Sequence, residues 1–212
     1  MASASLPGVR RMLIVRHGES EWNREGRWQG WTDSALSARG AAQARARGAE
    51  LHSTGHRFAA VYASDLARAF RTAELIAEAV GGPAAVPDRA LRERFGGAWE
   101  GHTRAEIIAG WPDEREAWQR GELAAPPGGE TGTAVLERVT AALRRIDAES
   151  PAGAVLVVSH QGVVRQLSNW ASVPPGEPIA NLGGRWFEWD GSELVAGEAL
   201  PVLVEPPDDD VE

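Results

Sequence analysis

Two histidines with matching surroundings are the residues of this sequence best suited to chemistry. His17 lies just after the apolar run 12–15, and His160 lies just after the apolar run 155–158; a glycine follows each histidine within two positions. Short apolar runs with β-branched residues are typical of buried strands, and α/β proteins bind ligands at the carboxyl ends of such strands. One histidine at a strand end is more often structural, but two matching units favour a shared site.

Arginines near these histidines predict a pocket for a phosphate group. Arg16 directly precedes His17, and Arg68 falls in the first turn of a predicted helix. The helix dipole disfavours a cation at that point, which indicates that Arg68 has a role other than helix stability. Guanidinium groups bind phosphate oxygens in a bidentate manner. The helix predicted to begin at Gln161 would direct free N–H groups at the same anion.

A pocket of this kind supports phosphoryl transfer. A neutral imidazole can attack phosphorus, and neighbouring arginines disfavour its protonated form. The second imidazole can stabilise charge on the transferring group. The departing alkoxide needs a proton, and Glu93 is the candidate donor. Asn23 and Gln29 either hydrogen-bond an oxyanion or serve turn formation. Residue types alone leave open which histidine is the nucleophile, and this chemistry needs no metal.

Composition narrows the class of protein. The 212 residues suit one domain, or one domain with a small cap, and the 43% hydrophobic and 25% charged content is typical of a soluble globular protein. The net charge of −8 argues against a nucleic-acid partner. All 22 basic residues are arginine, so any anion site requires a local arginine cluster. The chain has no cysteine, which excludes disulfides, thiol catalysis and cysteine-based zinc sites.

Other motifs and targeting signals are missing from the sequence. Residues 1–8 do not resemble a signal peptide, and no apolar run approaches membrane-spanning length. We therefore expect a cytoplasmic protein with no membrane partner. The sequence contains no Gly-x-Ser-x-Gly elbow, no Gly-x-Gly-x-x-Gly motif and no P-loop. The histidines lack the carboxylate spacing of a zinc site, so we expect neither metal nor cofactor.

Alternating strands and helices must position these residues. Strands are predicted at about 11–16, 58–63, 85–86 and 155–158, with a hairpin joining 185–189 to 193–200. Helices are predicted at 37–53, with Ser34 or Ser37 as its N-cap, and from a Ser64-Asp65 cap to 80. Further helices are predicted at 103–111, which begins with a Thr103–Glu106 capping box, and at 112–120, 131–149 and 161–171. We expect one domain over residues 1–212, with residues 99–130 as a small cap over the site and 205–212 as a disordered acidic tail. Arg39, Arg45 and Arg47 are assigned to a solvated face.

The motifs together resemble the signature of the histidine phosphatase (phosphoglycerate mutase-like) superfamily. They span nearly the whole chain in the family's order, and the set is far more specific than any single member. In chain order they are Val15-Arg16-His17-Gly18-Glu19, Trp22-Asn23, Gln29-Gly30, Ser64-Asp65-Leu66-Ala67-Arg68-Ala69 with Thr72, Leu91-Arg92-Glu93, Gly97-x-Trp99-Glu100-Gly101, Gly128-Gly129-Glu130 and Ser159-His160-x-Gly162.

This resemblance implies a fold and a set of roles. The fold is a three-layer α/β/α sandwich around a mainly parallel sheet. The roles include a phosphohistidine intermediate on His17 and a proton donor at Glu93. The implied phosphate pocket consists of Arg16, Arg68 and His160. Further substrate contacts are assigned to Asn23, Gln29, Gly30 and Gln161.

The family divides into phosphatases and mutases. Mutases carry a Glu-Arg-His-Tyr-Gly-type stretch and a longer basic insertion before the second histidine, whereas this chain has Glu93-Arg94-Phe95-Gly96-Gly97 and a short interval to His160. The resemblance therefore implies a metal-independent phosphomonoesterase acting on a small phosphorylated metabolite. The alternatives are a 2,3-bisphosphoglycerate-dependent phosphoglycerate mutase and a non-catalytic protein that binds a phosphorylated ligand.

Features of the sequence leave the substrate and the assembly open. Three tryptophans, Trp22, Trp28 and Trp31, form either a wall of the pocket or part of the core. Substrate choice is assigned to these tryptophans, to Arg92 and Arg94, and to the cap. The expected partner is a small-molecule phosphate ester, and the protein is expected to be a monomer or a homodimer.

Overall fold

A six-stranded sheet with helices on both faces forms the framework of the molecule. The computed structural model describes residues 9–174, 176 and 178–203. The strands are β1 (Arg10–Arg16), β2 (Ala60–Ala63), β3 (Ala85–Pro87), β4 (Val155–Ser159), β5 (Gly184–Trp189) and β6 (Leu194–Ala199). The α-helices are α1 (Glu21–Arg24), α2 (Ala38–Ser53), α3 (Ala67–Val80), α4 (Arg104–Gly110), α5 (Pro112–Gln119), α6 (Gly132–Glu149) and α7 (Gln161–Trp170).

The order of the strands places β1 near the centre of the sheet. That order is β3-β2-β4-β1-β5-β6. Strands β1 to β4 are parallel, and β5 and β6 add an antiparallel edge. The mainly parallel α/β sheet that the sequence predicts is confirmed. The carboxyl ends of β1 and β4 are therefore neighbours at one edge of the sheet.

Alternation along β1 sends side chains into two separate cores. Leu13 and Val15 pack with residues of α2 and α3 on one face. Met12 and Ile14 pack with residues of α6 and α7 on the other. All four are fully buried, and burying a side chain of this size stabilises the fold by about 1.5–3 kcal/mol. The sheet is therefore covered on both faces, as the three-layer prediction requires.

The start of α3 differs from the prediction. The Ser64-Asp65 cap is wrong, because the helix begins at Ala67 and Leu66 occupies the N-cap without a side-chain hydrogen bond. Ser64 Oγ accepts a hydrogen bond from Leu66 N, and the Asp65 carboxylate is bound by Arg92 at 2.6 and 2.7 Å. The first helical N–H, that of Ala67, instead donates to Asp33 Oδ1 at 2.9 Å.

Arg47 is not part of a solvated face. Its side chain is 1% exposed and pairs with Glu50 at 2.6 Å, and its Nη2 donates to the carbonyl of Pro201 at 2.8 Å. A charged side chain is buried in this way only where it is paired and hydrogen-bonded. The Pro201 carbonyl, more than 150 positions away along the chain, therefore supplies one of the acceptors for this buried guanidinium.

The predicted cap region contains the two short helices α4 and α5. The capping box of Thr103 and Glu106 is present at the start of α4, and Pro112 is the first residue of α5. The predicted tail at 205–212 lies outside the described residues. Among the residues that the structure describes, no helix is long and apolar enough to cross a membrane.

Candidate active site

The two histidines are brought together by the register of β1 and β4. Arg16 pairs with Ser159 at the ends of these strands, and the His17 amide donates to the Ser159 carbonyl at 2.9 Å. The imidazole rings of His17 and His160 consequently lie 5.1 Å apart between centroids, at an interplanar angle of 65°. His17 is 3% exposed and His160 is fully buried. Two sequence segments more than 140 positions apart thus form one site.

The ring of His17 is held in one orientation. Its Nδ1 lies 2.6 Å from the carbonyl oxygen of Gly18, so this nitrogen carries the proton in the neutral ring and Nε2 keeps its lone pair. Burial lowers the pKa of His17 well below its ordinary value, and the nearby charges of Arg68 and Arg16 lower it further. The ring is therefore neutral at pH 7 and has a nucleophilic nitrogen.

His160 has no hydrogen-bond partner for either ring nitrogen among the described residues. Burial lowers its pKa well below the ordinary value, with smaller contributions from Arg68 and His17. Buried polar atoms of folded proteins are normally satisfied, and exceptions call for a functional reason. A neutral imidazole with an unpaired ring N–H is a suitable donor to an anion in this cavity.

Two guanidinium groups flank the histidines. Arg68 is fully buried, and it donates to the carbonyls of Gly30 at 2.8 Å and Thr32 at 3.0 Å. Burial lowers its pKa to about 10, which leaves it charged at pH 7. Arg16 donates to the carbonyl of Ile179 at 2.6 Å. The Nε atoms of both arginines are buried without a partner among the described residues, as expected for donors aimed at an anion.

The turn after His17 depends on a close approach between two segments. A Cβ atom on Gly18 would lie 2.5 Å from the carbonyl oxygen of Gly40, so only glycine fits. The Gly18 amide donates to Thr72 Oγ1 at 3.1 Å, and this hydroxyl donates to the Arg68 carbonyl at 2.6 Å. The hydroxyl thereby links the His17 turn directly to the helix that carries Arg68.

The carboxylate of Glu93 is placed at the site by backbone hydrogen bonds. Its Oε2 accepts from Gly162 N at 3.0 Å, and its Oε1 accepts from Arg94 N at 2.8 Å. A Cβ on Gly162 would lie 2.1 Å from Oε1, so the start of α7 can approach Glu93 only as glycine. The Glu93 carbonyl accepts from the indole N–H of Trp31 at 2.7 Å.

An ion pair beneath Glu93 fixes the segment that carries it. Arg138 contacts both carboxylate oxygens of Glu130 at 2.8 Å. The same guanidinium donates to the carbonyls of Ala90, Arg92 and Glu93 at 2.7–2.8 Å. Glu130 belongs to the Gly128-Gly129-Glu130 motif, and its partner Arg138 lies two turns further along the chain. The motif therefore supports the site rather than lining it.

These side chains open into one cavity of about 360 Å³. It contains every site residue that the sequence predicts, including the substrate contacts assigned to positions 23, 29, 30 and 161. Its lining residues are Arg16, His17, Asn23, Arg27, Trp28, Gln29, Gly30, Arg68, Glu93, Arg94, Trp118, His160, Gln161, Gly162 and Arg165.

The sequence leaves open whether Trp22, Trp28 and Trp31 form a wall of the pocket or part of the core. Trp28 lines the cavity and packs edge-on against Trp118 of α5, with centroids 6.2 Å apart. Trp31 is not among the lining residues and packs against Phe95. Trp22 is not among the lining residues either, so of these three tryptophans Trp28 alone forms part of the wall, and Trp22 and Trp31 are half-buried outside it.

Three lining residues, Arg27, Trp118 and Arg165, were missed by sequence reasoning. Arg165 could have been predicted as a lining residue, because it lies one helical turn after Gln161 and so shares the same face of α7. For Trp118, the sequence indicated only that it belongs to the predicted cap, and no motif marked it as a lining residue. Arg92, which the sequence analysis assigned to substrate choice, instead forms an ion pair with Asp65 at 2.6 Å.

The charges in the cavity suit a phosphate ester. Arg16 and Arg68 supply positive charge beside two neutral imidazoles, and among the described residues that line the cavity Glu93 alone is acidic. Such a set can bind a tetrahedral anion, provide a nucleophilic nitrogen and move a proton. Within the described part of the chain, no group of three or more His, Cys, Asp or Glu side chains could hold a metal ion.

The chain is similar to known proteins over most of its length. The family model for the histidine phosphatase superfamily (branch 1) matches residues 12–194. Phosphoglycerate mutase-like protein 4 of Arabidopsis thaliana is 39% identical over 187 residues, covering 86% of this chain and 81% of that protein. A 2,3-bisphosphoglycerate-dependent phosphoglycerate mutase of a Methylobacterium species is 38% identical over 163 residues, covering 74% of this chain and 78% of that protein.

Solved structures show the same architecture. The native structure of a mycobacterial glucosyl-3-phosphoglycerate phosphatase superposes with a TM-score of 0.76 at 30% identity, covering 89% of this chain and 96% of that one. Similarity thus extends to proteins named as mutases and to proteins named as phosphatases.

Proposed function

Because the chain belongs to the histidine phosphatase superfamily, we propose that it is a metal-independent phosphomonoesterase. It hydrolyses a small phosphorylated metabolite through a phosphohistidine on His17. The observation that carries this proposal is the neutral His17 ring, whose Nδ1 is hydrogen-bonded and whose Nε2 shares a cavity with Arg16, Arg68 and His160. The net charge of the protein, −8, suits a small-molecule partner better than a nucleic acid.

In the first step, Nε2 of His17 forms a bond to phosphorus as the bond from phosphorus to the ester oxygen breaks. Arg16, Arg68 and His160 stabilise the negative charge on the other phosphate oxygens. The protonated form of Glu93 transfers its proton to the departing alkoxide, which leaves as an alcohol. The products of this step are phosphohistidine and a Glu93 carboxylate.

In the second step, water replaces the alcohol. The Glu93 carboxylate accepts a proton from the water as its oxygen attacks phosphorus and the bond from phosphorus to His17 breaks. Inorganic phosphate is released, and both His17 and Glu93 return to their starting states. One carboxyl group thus serves as acid and then as base.

A phosphoglycerate mutase is the second candidate, because several similar proteins carry that name. A mutase must retain a bisphosphorylated, highly anionic intermediate. Residues 99–130, the predicted cap, contain three arginines against seven acidic residues. The predicted cap thus lacks the longer basic insertion that the mutases carry, which supports release of phosphate to water.

The first experiment measures phosphate release in the presence of a chelator. The panel contains 3-phosphoglycerate and a glucosyl derivative of it, sugar phosphates, phosphoserine, nucleotides and an aryl phosphate, because the similar mycobacterial enzyme is named for a phosphoglycerate derivative. His17→Ala is compared with His52→Ala, a substitution at an exposed position outside the cavity.

We expect release by the wild type and by His52→Ala, and loss of at least a thousandfold in His17→Ala. Acid-labile labelling of the wild-type protein by ³²P-ester would identify the phosphohistidine. Interconversion of 2- and 3-phosphoglycerate on addition of bisphosphoglycerate, without net hydrolysis, would move the protein to the mutases. Release that persists in His17→Ala would show that another residue is the nucleophile.

A further inference from the structure

Glu100 places a carboxylate beneath the turn at residues 30–32, although it is not among the residues that line the cavity. Its side chain is half-buried. Oε1 accepts hydrogen bonds from the amides of Trp31 and Gly96, both at 2.8 Å. Oε2 accepts from the amide of Thr32 at 2.9 Å and from the hydroxyl of the same residue at 2.7 Å. All four donors are neutral groups, so backbone and hydroxyl dipoles stabilise this carboxylate.

The same turn binds Arg68 on its other side. The Gly30 carbonyl accepts from Arg68 Nη2 at 2.8 Å, and the Thr32 carbonyl accepts from Nη1 at 3.0 Å. The Gly30 carbonyl and the Trp31 amide belong to one peptide group, and in a trans peptide the C=O and N–H point in opposite directions. This peptide group therefore bridges the Glu100 carboxylate and the Arg68 guanidinium.

The turn fits closely over the carboxylate. Gly30 has a φ of +54°, and a Cβ on it would lie 1.9 Å from Glu100 Oε1. A Cβ on Gly96 would lie 2.9 Å from Glu100 Cγ. Gly96 ends the segment 93–96, which begins with Glu93. Glu100 thus connects the segment of the candidate proton donor to the turn that binds Arg68.

We propose that Glu100 is a positioning residue, which acts through the turn at residues 30–32 to orient the Arg68 guanidinium toward the phosphate group of the substrate. This inference rests on the proposed function, in which Arg68 binds phosphate oxygens. The two carbonyls fix the plane of the guanidinium, and its Nε, buried without a protein partner in the described structure, stays available to the anion. The carboxylate also polarises the bridging peptide group, because hydrogen bonds in series strengthen one another.

The charge of Glu100 also favours the cationic form of Arg68. Burial lowers the pKa of Arg68, and the negative charges of Glu93, Asp33 and Glu100 oppose this effect. In the first proposed step Glu93 is protonated and contributes no negative charge. Asp33 and Glu100 are then the opposing groups that remain.

A double-mutant cycle tests this role. We would measure kcat/KM for an aryl phosphate in the wild type, Glu100→Gln, Arg68→Gln and the double variant, with circular dichroism to confirm folding. Glutamine keeps the volume of glutamate but offers one acceptor oxygen, so two of the four donors lose their acceptor. The control is Asp190→Asn. Asp190 Oδ1 likewise accepts from two amides and a hydroxyl of its own turn, which is exposed and lies outside the cavity.

We expect Glu100→Gln to lower kcat/KM by about 10-fold to 100-fold, because a misplacement of about 1 Å can cost about 10²-fold in rate. In the Arg68→Gln background the same substitution should cost less than about twofold, since a residue that acts through Arg68 has no further effect once Arg68 is removed. Asp190→Asn should retain wild-type kcat/KM. An equal loss from Glu100→Gln in both backgrounds overturns the proposal, as does a fully active Glu100→Gln enzyme.

Two further measurements apply if a variant has no turnover or does not fold. If Arg68→Gln has no measurable turnover, crystal structures of the wild type and Glu100→Gln decide. A Gly30 carbonyl displaced from Arg68 supports the proposal, and an unchanged contact overturns it. If Glu100→Gln does not fold, Thr32→Val removes only the hydroxyl that donates to Oε2. A lower kcat/KM in Thr32→Val supports the proposal, and an unchanged value overturns it.

Phosphate binding separates failure of this role from failure of the proposed function. If the wild type hydrolyses none of the esters in the panel, the proposed phosphatase function fails. Calorimetric titration with inorganic phosphate then tests the role of Glu100 alone. Binding that weakens about tenfold in Glu100→Gln, and not in Asp190→Asn, supports the role. Equal binding by the wild type and Glu100→Gln, or no binding by the wild type, overturns it.

Discussion

The amide of His17 donates to the carbonyl of Ser159 at 2.9 Å, one hydrogen bond beyond the last paired residues of β1 and β4. This bond continues the parallel ladder by one step and places the two following side chains at the same edge of the sheet. His17 and His160 are therefore positioned by the rigid centre of the fold and not by a loop. A site built on strand ends keeps its geometry without a bound ligand.

Gly162→Ala should impair proton transfer while leaving the fold intact. The added Cβ would lie 2.1 Å from Glu93 Oε1, so the carboxylate must move away from the start of α7. Loss of a positioned general acid costs about 10²–10⁴-fold in rate, and we expect kcat to fall within that range. Steady-state kinetics and circular dichroism would measure it.

Gly110→Ala is the matched control for Gly162→Ala. Gly110 ends α4, and a Cβ added there has nothing within 4 Å. This variant should keep wild-type kcat. A Gly162→Ala enzyme with wild-type kcat would show that turnover does not require the Glu93 carboxylate to lie beside residue 162.

The central features of the fold were predictable because they depend on local patterns. The runs at 12–15 and 155–158 are apolar and short, and both are buried on two faces of the sheet. The caps at Ser37 and Thr103 depend on residues within three positions. Where a structure is specified by neighbouring residues, the sequence is sufficient to predict it.

Asp33→Ala should destabilise the protein through helix α3. Asp33 Oδ1 accepts from the first helical N–H, that of Ala67, and loss of an N-cap acceptor typically costs about 0.5–2 kcal/mol. Urea denaturation should show a decrease of about 1 kcal/mol in the free energy of unfolding. Asp33→Asn retains the acceptor oxygen and should be closer to the wild type. Equal loss in both variants would instead assign the effect to the charge.

The hydrogen bond from Ala67 to Asp33 is one of the contacts that the sequence could not predict. Asp33 caps a helix that begins 34 positions later, and Arg47 donates to the carbonyl of the distant Pro201. The ion pair of Glu130 with Arg138, which holds the segment carrying Glu93, was likewise not predicted from the sequence. Such contacts depend on tertiary packing, for which one sequence carries no periodic or local signal.

His160→Leu should abolish phosphate release and raise the free energy of unfolding. Both ring nitrogens of His160 are buried without a protein partner in the described structure, and an unsatisfied buried polar group costs about 1–3 kcal/mol. Leucine removes that cost in a similar volume, so the free energy of unfolding should rise by about 1 kcal/mol as phosphate release is lost. Urea denaturation and the ester assay measure the two effects. A destabilised His160→Leu protein would mean that the ring makes favourable contacts beyond those described.

The exposed His52 provides a control for that substitution. It lies near the end of α2 and outside the cavity. His52→Leu should change the free energy of unfolding by no more than about 0.5 kcal/mol, and it should retain activity.

Stability should fall as the pH drops from about 6.5, because both site histidines resist protonation. Burial lowers the pKa of His17 and of His160 well below 6.5, whereas in the unfolded chain each binds a proton near pH 6.5. Below that pH the unfolded state holds more protons, so the free energy of unfolding decreases by up to about 1.4 kcal/mol per pH unit for each histidine. Urea denaturation between pH 7 and pH 5.5 should show this slope, and His160→Leu should reduce it by the contribution of one histidine. An identical slope in both proteins would mean that His160 binds a proton equally well in the folded and unfolded states.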